Sequence, residues 1–450
     1  MQTLFTPEQL EKPRIREAEK ILHTCVHYGF CTNTCPTYVV TGDENESPRG
    51  RIDLIRAMLE KGGTPDAKTV SHIDSCLSCL SCMTTCAVKV DYAHLIDLAR
   101  AHVEENFNRP LIDRLLRAML VRVLPKPRLF ALAISLARAV APLRTILPRR
   151  LGPLFDLLPE RADMRSEIMT PQTFPAEGAR RARVCLLAGC VQQVLAAQIN
   201  RATIRLLNRH GCEVIIAAGS GCCGSLPLHM GYSARAKAMA AANIDAWSRA
   251  GDFDAILVNA SGCGTTVKDY GHLLADDVLA QAANRIASRA LDVTEFVQGL
   301  GFKPTGVAPY RVVYHDACSL QHVQRIAAQP RALLAKAGFQ LVEAPERHFC
   351  CGSAGTYNLL QPKMAERLGR RKADHIASAM PDLWAAGNIG CLVQIGRFLS
   401  LPSAHTVELL DWASGGPTPP GLGSLDEDAV RARSQKMQTD APTVAGDAFW

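Results

Sequence analysis

Seventeen cysteines in a 450-residue chain are the residues most able to do chemistry, and their spacing indicates which. Cys76, Cys79, Cys82 and Cys86 form C-x2-C-x2-C-x3-C. A tight loop of this kind wraps three thiolates around one face of a cubane iron–sulfur cluster and sends the fourth to another cluster. Tetrahedral zinc normally takes cysteines in two separated pairs, so four at this density suit iron better. Cys25, Cys31 and Cys35 repeat the frame upstream, down to a closing Cys-Pro at Pro36, but Tyr28 stands at the second cysteine position. The odd cysteine total in a large chain argues against a disulfide framework.

Proteins of the two-cluster ferredoxin type cross their ligands between two such runs. On that plan Cys35, Cys76, Cys79 and Cys82 enclose one complete 4Fe–4S cluster, and Cys25, Cys31 and Cys86 give the other cluster three thiolates. Three outcomes are open for the second site: a 3Fe–4S cluster, which the ligand count favours; a four-iron cluster completed by water or the Tyr28 phenolate; or an empty site with Tyr28 as ordinary core.

Eight more cysteines come in two matching sets. Subtracting 128 places Cys318 on Cys190, Cys350 and Cys351 on Cys222 and Cys223, and Cys391 on Cys263. Gly352 then falls on Gly224, Gly390 on Gly262 and Gln321 on Gln193, while Gly338 misses Gly211 by one residue. Such matching marks a duplicated unit. Four thiols gathered at the carboxyl edge of a parallel sheet could hold iron and sulfide, so additional clusters are expected there. Cys185 and Cys212 have no counterparts and read as small core residues. His27, His315 and His348 lie near thiols in the chain and read as hydrogen-bonded structural residues.

The elements that position these thiols are visible as periodicity. Short apolar strands are expected at Val184–Ala188, Val214–Ala218 and Ala255–Val258. Helices should lie between them at Val191–His210 and Ala234–Ala250, with another from Thr265 onward. Alternation of this kind implies a parallel sheet with helices on its faces. The fold class is therefore α/β plus α-helical, an N-terminal two-cluster ferredoxin-like helical domain followed by a duplicated parallel α/β unit. Residues 1–100 would form the iron–sulfur domain and 101–180 a helical connector and linker. The two Cys-Cys-Gly repeats would span 181–300 and 301–412, and 413–450 would be a disordered tail.

Composition excludes several alternatives. At 48% hydrophobic and 21% charged the chain is ordinary globular material. No apolar run reaches the roughly 18 residues needed to cross a bilayer. The charged first twenty residues do not read as a secretory signal, which suggests a cytoplasmic protein. Net charge is +7, and Ala101–Arg150 alone carries ten basic and three acidic residues. Basic residues there alternate with apolar stripes, as on a solvated helical face or on one that docks to an anionic membrane. Without interleaved aromatics, a nucleic-acid partner is not expected. Gly219-Ser-Gly221-Cys-Cys-Gly224 imitates a dinucleotide-binding loop, but its counterpart Arg347–Gly352 lacks the leading glycines and Pro227 interrupts the helix start. No nicotinamide or flavin signature, Ser/His/Asp set or paired carboxylates are apparent, so no catalytic residue is assigned.

Two ferredoxin-type motifs followed by two Cys-Cys-Gly repeats resemble the iron–sulfur subunit of glycolate oxidase (glycolate dehydrogenase) over about residues 15–412. The specific parts are Cys25-Val-His-Tyr-Gly-Phe-Cys31, Cys35-Pro-Thr-Tyr38, Ser47-Pro-Arg-Gly-Arg51, Ala260-Ser-Gly-Cys263-Gly and Asn388-Ile-Gly-Cys391. The resemblance implies an electron-transfer subunit that works with flavin-binding partner subunits. FAD would be carried by those partners, which oxidise glycolate to glyoxylate, and electrons would pass towards a membrane acceptor such as quinone. The chain would then sit peripherally on the inner face of the cytoplasmic membrane. More distant likenesses are the iron–sulfur subunit of anaerobic glycerol-3-phosphate dehydrogenase and the catalytic subunit of heterodisulfide reductase, so the alternative function is the iron–sulfur subunit of another dehydrogenase (glycerol-3-phosphate or lactate) or a thiol/disulfide reductase. Tyr28 departs from the family pattern, as does Ala87 where proline would follow Cys86. Ala260 and Asn388 stand where heterodisulfide reductases carry a further cysteine, leaving four thiols in each repeat.

Overall fold

The computed structural model describes residues 1–143, 150, 152–159, 166–423, 425, 426, 428 and 430. Its N-terminal domain is helical, with helices Pro13–Thr24, Pro48–Lys61, Ala67–Asp74 and Tyr92–Asn106. Each begins at a residue suited to a helix start. Pro13 and Pro48 occupy first-turn positions, Asp66 accepts hydrogen bonds from the Lys68 and Thr69 amides, and Asp91 accepts from that of His94. Their apolar faces meet in a core containing Leu22, Ile55, Ile73, Leu95 and Ile96, and Cys25, Cys76 and Cys82 border it. The cysteine loops therefore hang from a rigid frame.

Two sheets follow. The first contains β1 (Gln172–Phe174), β2 (Ala182–Leu186), β3 (Cys212–Ile216), β4 (Ala255–Val258) and β5 (Ala290–Asp292), in the order β1-β3-β2-β4-β5. The second contains β6 (Arg311–His315), β7 (Gln340–Val342), β8 (Leu383–Ala386) and β9 (Ser403–His405), in the order β7-β6-β8-β9. All pairs are parallel except β1 with β3.

The duplication extends to strand register. Val184 pairs with Ala255 and Val312 with Leu383, a shift of 128 on both strands. Arg183 pairs with Glu213, but Arg311 pairs with Gln340, a shift of 127 on the second strand. That single missing residue is the one by which Gly338 fails to align with Gly211, and the loop before Cys350 restores it. Helix Ala197–Arg209 of the first repeat packs on helix Thr406–Ala413, and side chains of both sheets share one core, Val184 and Leu186 with Val312 and Tyr314.

Three expectations need adjustment. The helix expected over Val191–His210 is broken at Ala196 (φ −155°), giving Gln192–Leu195 and Ala197–Arg209. The linker contributes β1, whose residues lie antiparallel to β3, and buries Ile168. Beyond 412 the chain stays packed, since Leu422 and Val430 lie in the shared core; residues 431–450 fall outside the described part.

Candidate metal centres

The two N-terminal cysteine loops share a backbone conformation. His27 (φ +58°) and Gly29 (φ +81°) are left-handed, and so are Ser78 (φ +48°) and Leu80 (φ +58°), the residues 51 positions later. Left-handed residues on either side of Tyr28 and Cys79 turn the chain so that the cysteines of each loop face one centre. Tyr28 thus occupies the backbone position of Cys79. Its ring is 65% exposed and stacks on Phe30 at 6.1 Å. Tyr28 as ordinary core, which accompanied the empty-site expectation, is incorrect: the residue is largely exposed.

The seven cysteines of this domain fall into two neighbourhoods. Burial, and then the nearby Cys25 and Cys86, push the Cys31 thiol up to about 11. Burial, and then Cys79, Cys76 and Cys35, push Cys82 well above its ordinary value. Cys25, Cys31 and Cys86 border one pocket with Tyr28 and Phe30, and Cys82 of the other set reaches its wall. Donors already face several of the sulfurs. The amides of Ser78 and Val90 donate to Cys76 and Cys86 at 3.5 and 3.4 Å, and Tyr92 Oη donates to Cys76 at 3.6 Å.

The segment Ser47–Arg51 supports the complete set. Ser47 caps helix Pro48–Lys61 through the Gly50 amide at 2.9 Å. Gly50 must be glycine, because a Cβ there would lie 2.0 Å from the Glu44 carbonyl oxygen. Arg51, 1% exposed, donates to the His72 carbonyl (2.7 Å), the Glu46 carbonyl (2.5 Å), Glu46 Oε2 (2.5 Å) and Thr37 Oγ1 (3.1 Å). Its remaining reach is to Cys35 Sγ at 3.9 Å. A guanidinium held in this way ties the Cys35 loop to the Cys76 loop.

In each repeat the four thiols lie beyond the carboxyl ends of the first three strands of its parallel set. Cys190, Cys222 and Cys223, and Cys263 follow β2, β3 and β4; Cys318, Cys350 and Cys351, and Cys391 follow β6, β7 and β8. The thiols of each quartet act on one another in series, from Cys190 through Cys222 and Cys223 to Cys263, and from Cys318 through Cys350 and Cys351 to Cys391. Neighbouring Cys190 and Cys223 hold the Cys222 thiol low and are themselves held high. Thiols crowded in this way share protons and cannot all ionise unless a cation sits among them. The donor set therefore fits iron–sulfur ligation, which needs thiolates.

The glycine of each Cys-Cys-Gly is also explained. Gly224 (φ +92°) and Gly352 (φ +85°) are left-handed, and a Cβ would lie 3.0 Å from the Ala236 carbonyl oxygen and 2.8 Å from that of Ala365. Their amides donate to Cys222 and Cys350 at 3.5 and 3.4 Å. Asn388, where a further cysteine was considered, donates its side-chain amide to Cys391 Sγ at 3.4 Å. Cys185 and Cys212 are fully buried in the sheet, apart from the quartets.

The four neighbourhoods adjoin. Cys79 is close enough to Cys318 and Cys350 for their charges to act on one another. Ser319 Oγ donates to Ser261 Oγ at 2.7 Å, and Gln324 Nε2 to the Ser261 carbonyl at 2.8 Å, joining the helix of Cys263 to the turn after Cys318. Arg100 donates to the Cys76 carbonyl (2.5 Å) and Ser78 Oγ (2.6 Å), and Tyr357 Oη to the Ser75 carbonyl (3.0 Å). Between the N-terminal domain and the repeats lies a cavity of about 450 Å³ bordered by Cys79 and both quartets. Its apolar side comes from helices Leu111–Val123 and Pro127–Val140.

Sequence reasoning missed Arg51 as a structural centre and misread His315. The latter is 3% exposed and its Nε2 has no hydrogen-bond partner, so it is not the hydrogen-bonded structural residue expected at that atom. Burial and then the Lys372 ammonium hold it well below the usual histidine value. The His348 ring packs against that of Phe349 at 4.4 Å, while its backbone carbonyl accepts from His322 Nε2 at 3.0 Å.

Comparison with known proteins agrees with this arrangement. The 4Fe-4S dicluster domain model matches residues 21–90, and the cysteine-rich domain model matches 184–268 and 312–396, two stretches that start 128 residues apart. The chain is 38% identical over 417 residues to the glycolate oxidase iron-sulfur subunit of Escherichia coli (strain K12), covering 92% of this chain and 99% of that protein. It is 31% identical over 433 residues to the "Probable glycolate oxidase iron-sulfur subunit" of Bacillus subtilis (strain 168), covering 90% and 97%. Lactate utilization protein A of Oceanobacillus iheyensis is 29% identical over 218 residues, 48% of this chain and 88% of that one. A crystal structure of a hypothetical protein from Helicobacter pylori superimposes with a TM-score of 0.56 at 9% identity, over 92% of this chain and 76% of that one, a likeness of fold alone.

Proposed function

Because the chain belongs to the family of glycolate oxidase iron–sulfur subunits, we propose that it carries electrons from a flavin-bearing partner subunit, where glycolate becomes glyoxylate, towards a membrane acceptor such as quinone. The observation that carries this reading is the unbroken adjacency of thiol groups from the Tyr28 loop to the Cys263 helix. Cys35, Cys76, Cys79 and Cys82 would hold a 4Fe–4S cluster, and Cys25, Cys31 and Cys86 a 3Fe–4S cluster. Cys190, Cys222, Cys223 and Cys263 would hold a further cluster, as would Cys318, Cys350, Cys351 and Cys391. Bound there, such groups store and release single electrons.

The chain's own residues supply position and dielectric. Buried helices fix the cysteine loops, Arg51 and the loop amides face the sulfurs with positive partial charge, and a largely apolar cavity adjoins the quartets. Glycolate chemistry is placed on the flavin-bearing partner, which the division of glycolate oxidase into subunits supports. Val26, Tyr28 and Phe30 are exposed beside the three-thiolate pocket and offer an apolar contact for that partner.

The far end of the thiol series lies under two helices whose outer faces suit a membrane surface. Leu111, Leu115, Met119, Leu129, Leu132 and Leu136 are exposed there, interspersed with exposed Arg114, Arg122, Lys126 and Arg128. Apolar side chains among basic ones favour the boundary of an anionic bilayer. Among the described residues no helix is long and apolar enough to cross a membrane.

Oxygen-free co-purification tests the reading. Flavoprotein partners, iron and acid-labile sulfide should accompany the chain, and the isolated chain should not oxidise glycolate. Turnover by the chain alone, or full activity of an iron-free complex, would refute it. Cys222→Ser and Cys350→Ser should lose iron together with electron transfer; lost activity with clusters intact would favour thiol–disulfide chemistry instead.

A further inference from the structure

The two quartets coincide in their sulfurs but not in what packs on them. At the 128-residue shift, Leu187 and Ile244 of the first repeat correspond to His315 and Lys372 of the second. Alternation along β6 decides where the imidazole goes. Val312 and Tyr314 face the core shared by the two sheets, while Val313 lies on the opposite face in a cluster with Cys351 and Cys391. His315, two residues on, shares the Val313 face. One of its ring nitrogens and the sulfurs of Cys351 and Cys391 all lie within 4.8 Å of one another.

A buried imidazole nitrogen normally finds a partner. His315 is 3% exposed and its Nε2 has none. Lys372, the nearest cation, is itself engaged, donating to the Glu346 carbonyl at 2.6 Å. Neutral imidazole is a common ligand for iron and zinc, and two thiols already stand at ligand spacing beside it.

We propose that His315 ligates the iron of the second quartet, so that the repeats hold clusters of different composition: thiolates alone in the first, thiolates and one imidazole in the second. This rests on reading the quartets as iron–sulfur sites. With His315 beside Cys351 and Cys391, the imidazole takes the place of one of the other two thiolates of the quartet; imidazole in place of thiolate raises a cluster's reduction potential, and lower net charge around it acts in the same direction. Leu187 and His315 would therefore make the second repeat the better electron acceptor of the two.

The test uses the full chain, purified without oxygen, with and without ¹⁵N-histidine labelling. Iron and acid-labile sulfide are counted first, and pulsed paramagnetic resonance of the reduced protein then reports nitrogen near the unpaired spin. A directly bonded nitrogen coupling that changes with the label and disappears in His315→Leu, the residue of the first repeat, is expected. A cluster-loaded protein whose spectrum has no histidine nitrogen coupling, a weak coupling of hydrogen-bonded type, or a coupling unchanged in His315→Leu would each overturn the ligand assignment while leaving the electron-transfer reading intact. Absence of iron from both quartets would overturn both. The labelled wild-type spectrum needs no variant, and His315→Gln serves if the leucine variant does not fold.

Discussion

Replacing Arg51 by methionine is expected to destabilise the N-terminal domain far more than replacing Arg49, two residues away. Both arginines pair with a glutamate of the preceding turn, Arg49 Nε with Glu44 at 2.8 Å and Arg51 with Glu46 at 2.5 Å. They differ in solvation. Arg49 and Glu44 are well exposed, whereas Arg51 is enclosed and Glu46 nearly so. Removing one partner of an exposed pair costs about 0–1 kcal/mol. Removing one partner of a buried pair costs about 3–5 kcal/mol, because the remaining charge has lost its countercharge. Glu46 would keep bonds from His72 Nδ1 (2.7 Å) and Ser75 Oγ (2.5 Å), but the His72 carbonyl would lose its guanidinium donor. With a urea m-value of about 1–3 kcal/mol per molar, Arg51→Met should lower the unfolding midpoint by roughly 1 M or more, and Arg49→Met by a few tenths. Circular dichroism and cluster absorbance of anaerobic protein should show both transitions, compared as midpoints because a bound cofactor breaks two-state behaviour. Equal midpoints for the two variants would refute the assignment of Arg51 as the tie between the cysteine loops.

Gly352→Ala should lose iron from the second quartet, since a left-handed non-glycine residue costs about 1–2 kcal/mol and its Cβ would press on the Ala365 carbonyl; iron per chain measures this, and unchanged iron counts against it. Tyr28→Cys should convert the proposed three-iron paramagnetic signal into that of a four-iron cluster, because its backbone matches that of Cys79; a wild-type protein without a three-iron signal, or a signal unchanged in the variant, would show that the site is not short of one thiolate. Burial draws His94 down, yet hydrogen bonds to Asp269 and Asp91 prevail and hold it at about 10. A histidine raised above its unfolded value of about 6.5 stabilises fully below that pH and progressively less up to pH 10, so urea midpoints should fall over this window and His94→Gln should flatten the fall. Leu132→Glu with Leu136→Glu should weaken binding to anionic vesicles by about a hundredfold or more, at about 1.5–3 kcal/mol for each leucine removed from the apolar phase; flotation that does not change would exclude this face.

The thiol framework was legible in the sequence because ligand spacing and duplication are properties of the chain itself. Even the one-residue misfit of Gly338 proved to be a register difference between β3 and β7. What could not be read were the residues whose meaning depends on burial. Arg51 looks like any helical arginine until the Glu46 turn encloses it, and His315 looks like a strand-end histidine until alternation places it against Cys351 and Cys391. Tyr28 shares its backbone setting with Cys79, but its orientation depends on two left-handed neighbours, of which Gly29 announces itself and the non-glycine His27 does not. The basic helices showed their stripes but not which stripe would be left uncovered. Packing on Met230 and Leu359 used one face of Leu111–Val123 and left the other exposed.

The shared core has a consequence for biogenesis. Leu186 of β2 and helix Ala197–Arg209 rest on Val407, Leu410 and Leu422, residues that leave the ribosome about two hundred positions later. Asp411 closes the same contact by pairing with Arg205 at 2.5 Å. The first repeat therefore completes only one face of its sheet within its own segment, the face on which Cys223 and Cys263 pack with Trp247 and Tyr270; the opposite face waits for the last helix. Truncation upstream of Thr406 would strip the cover from Leu186, Ile199 and Leu207, and a nascent or shortened chain with that apolar face open should be prone to aggregate.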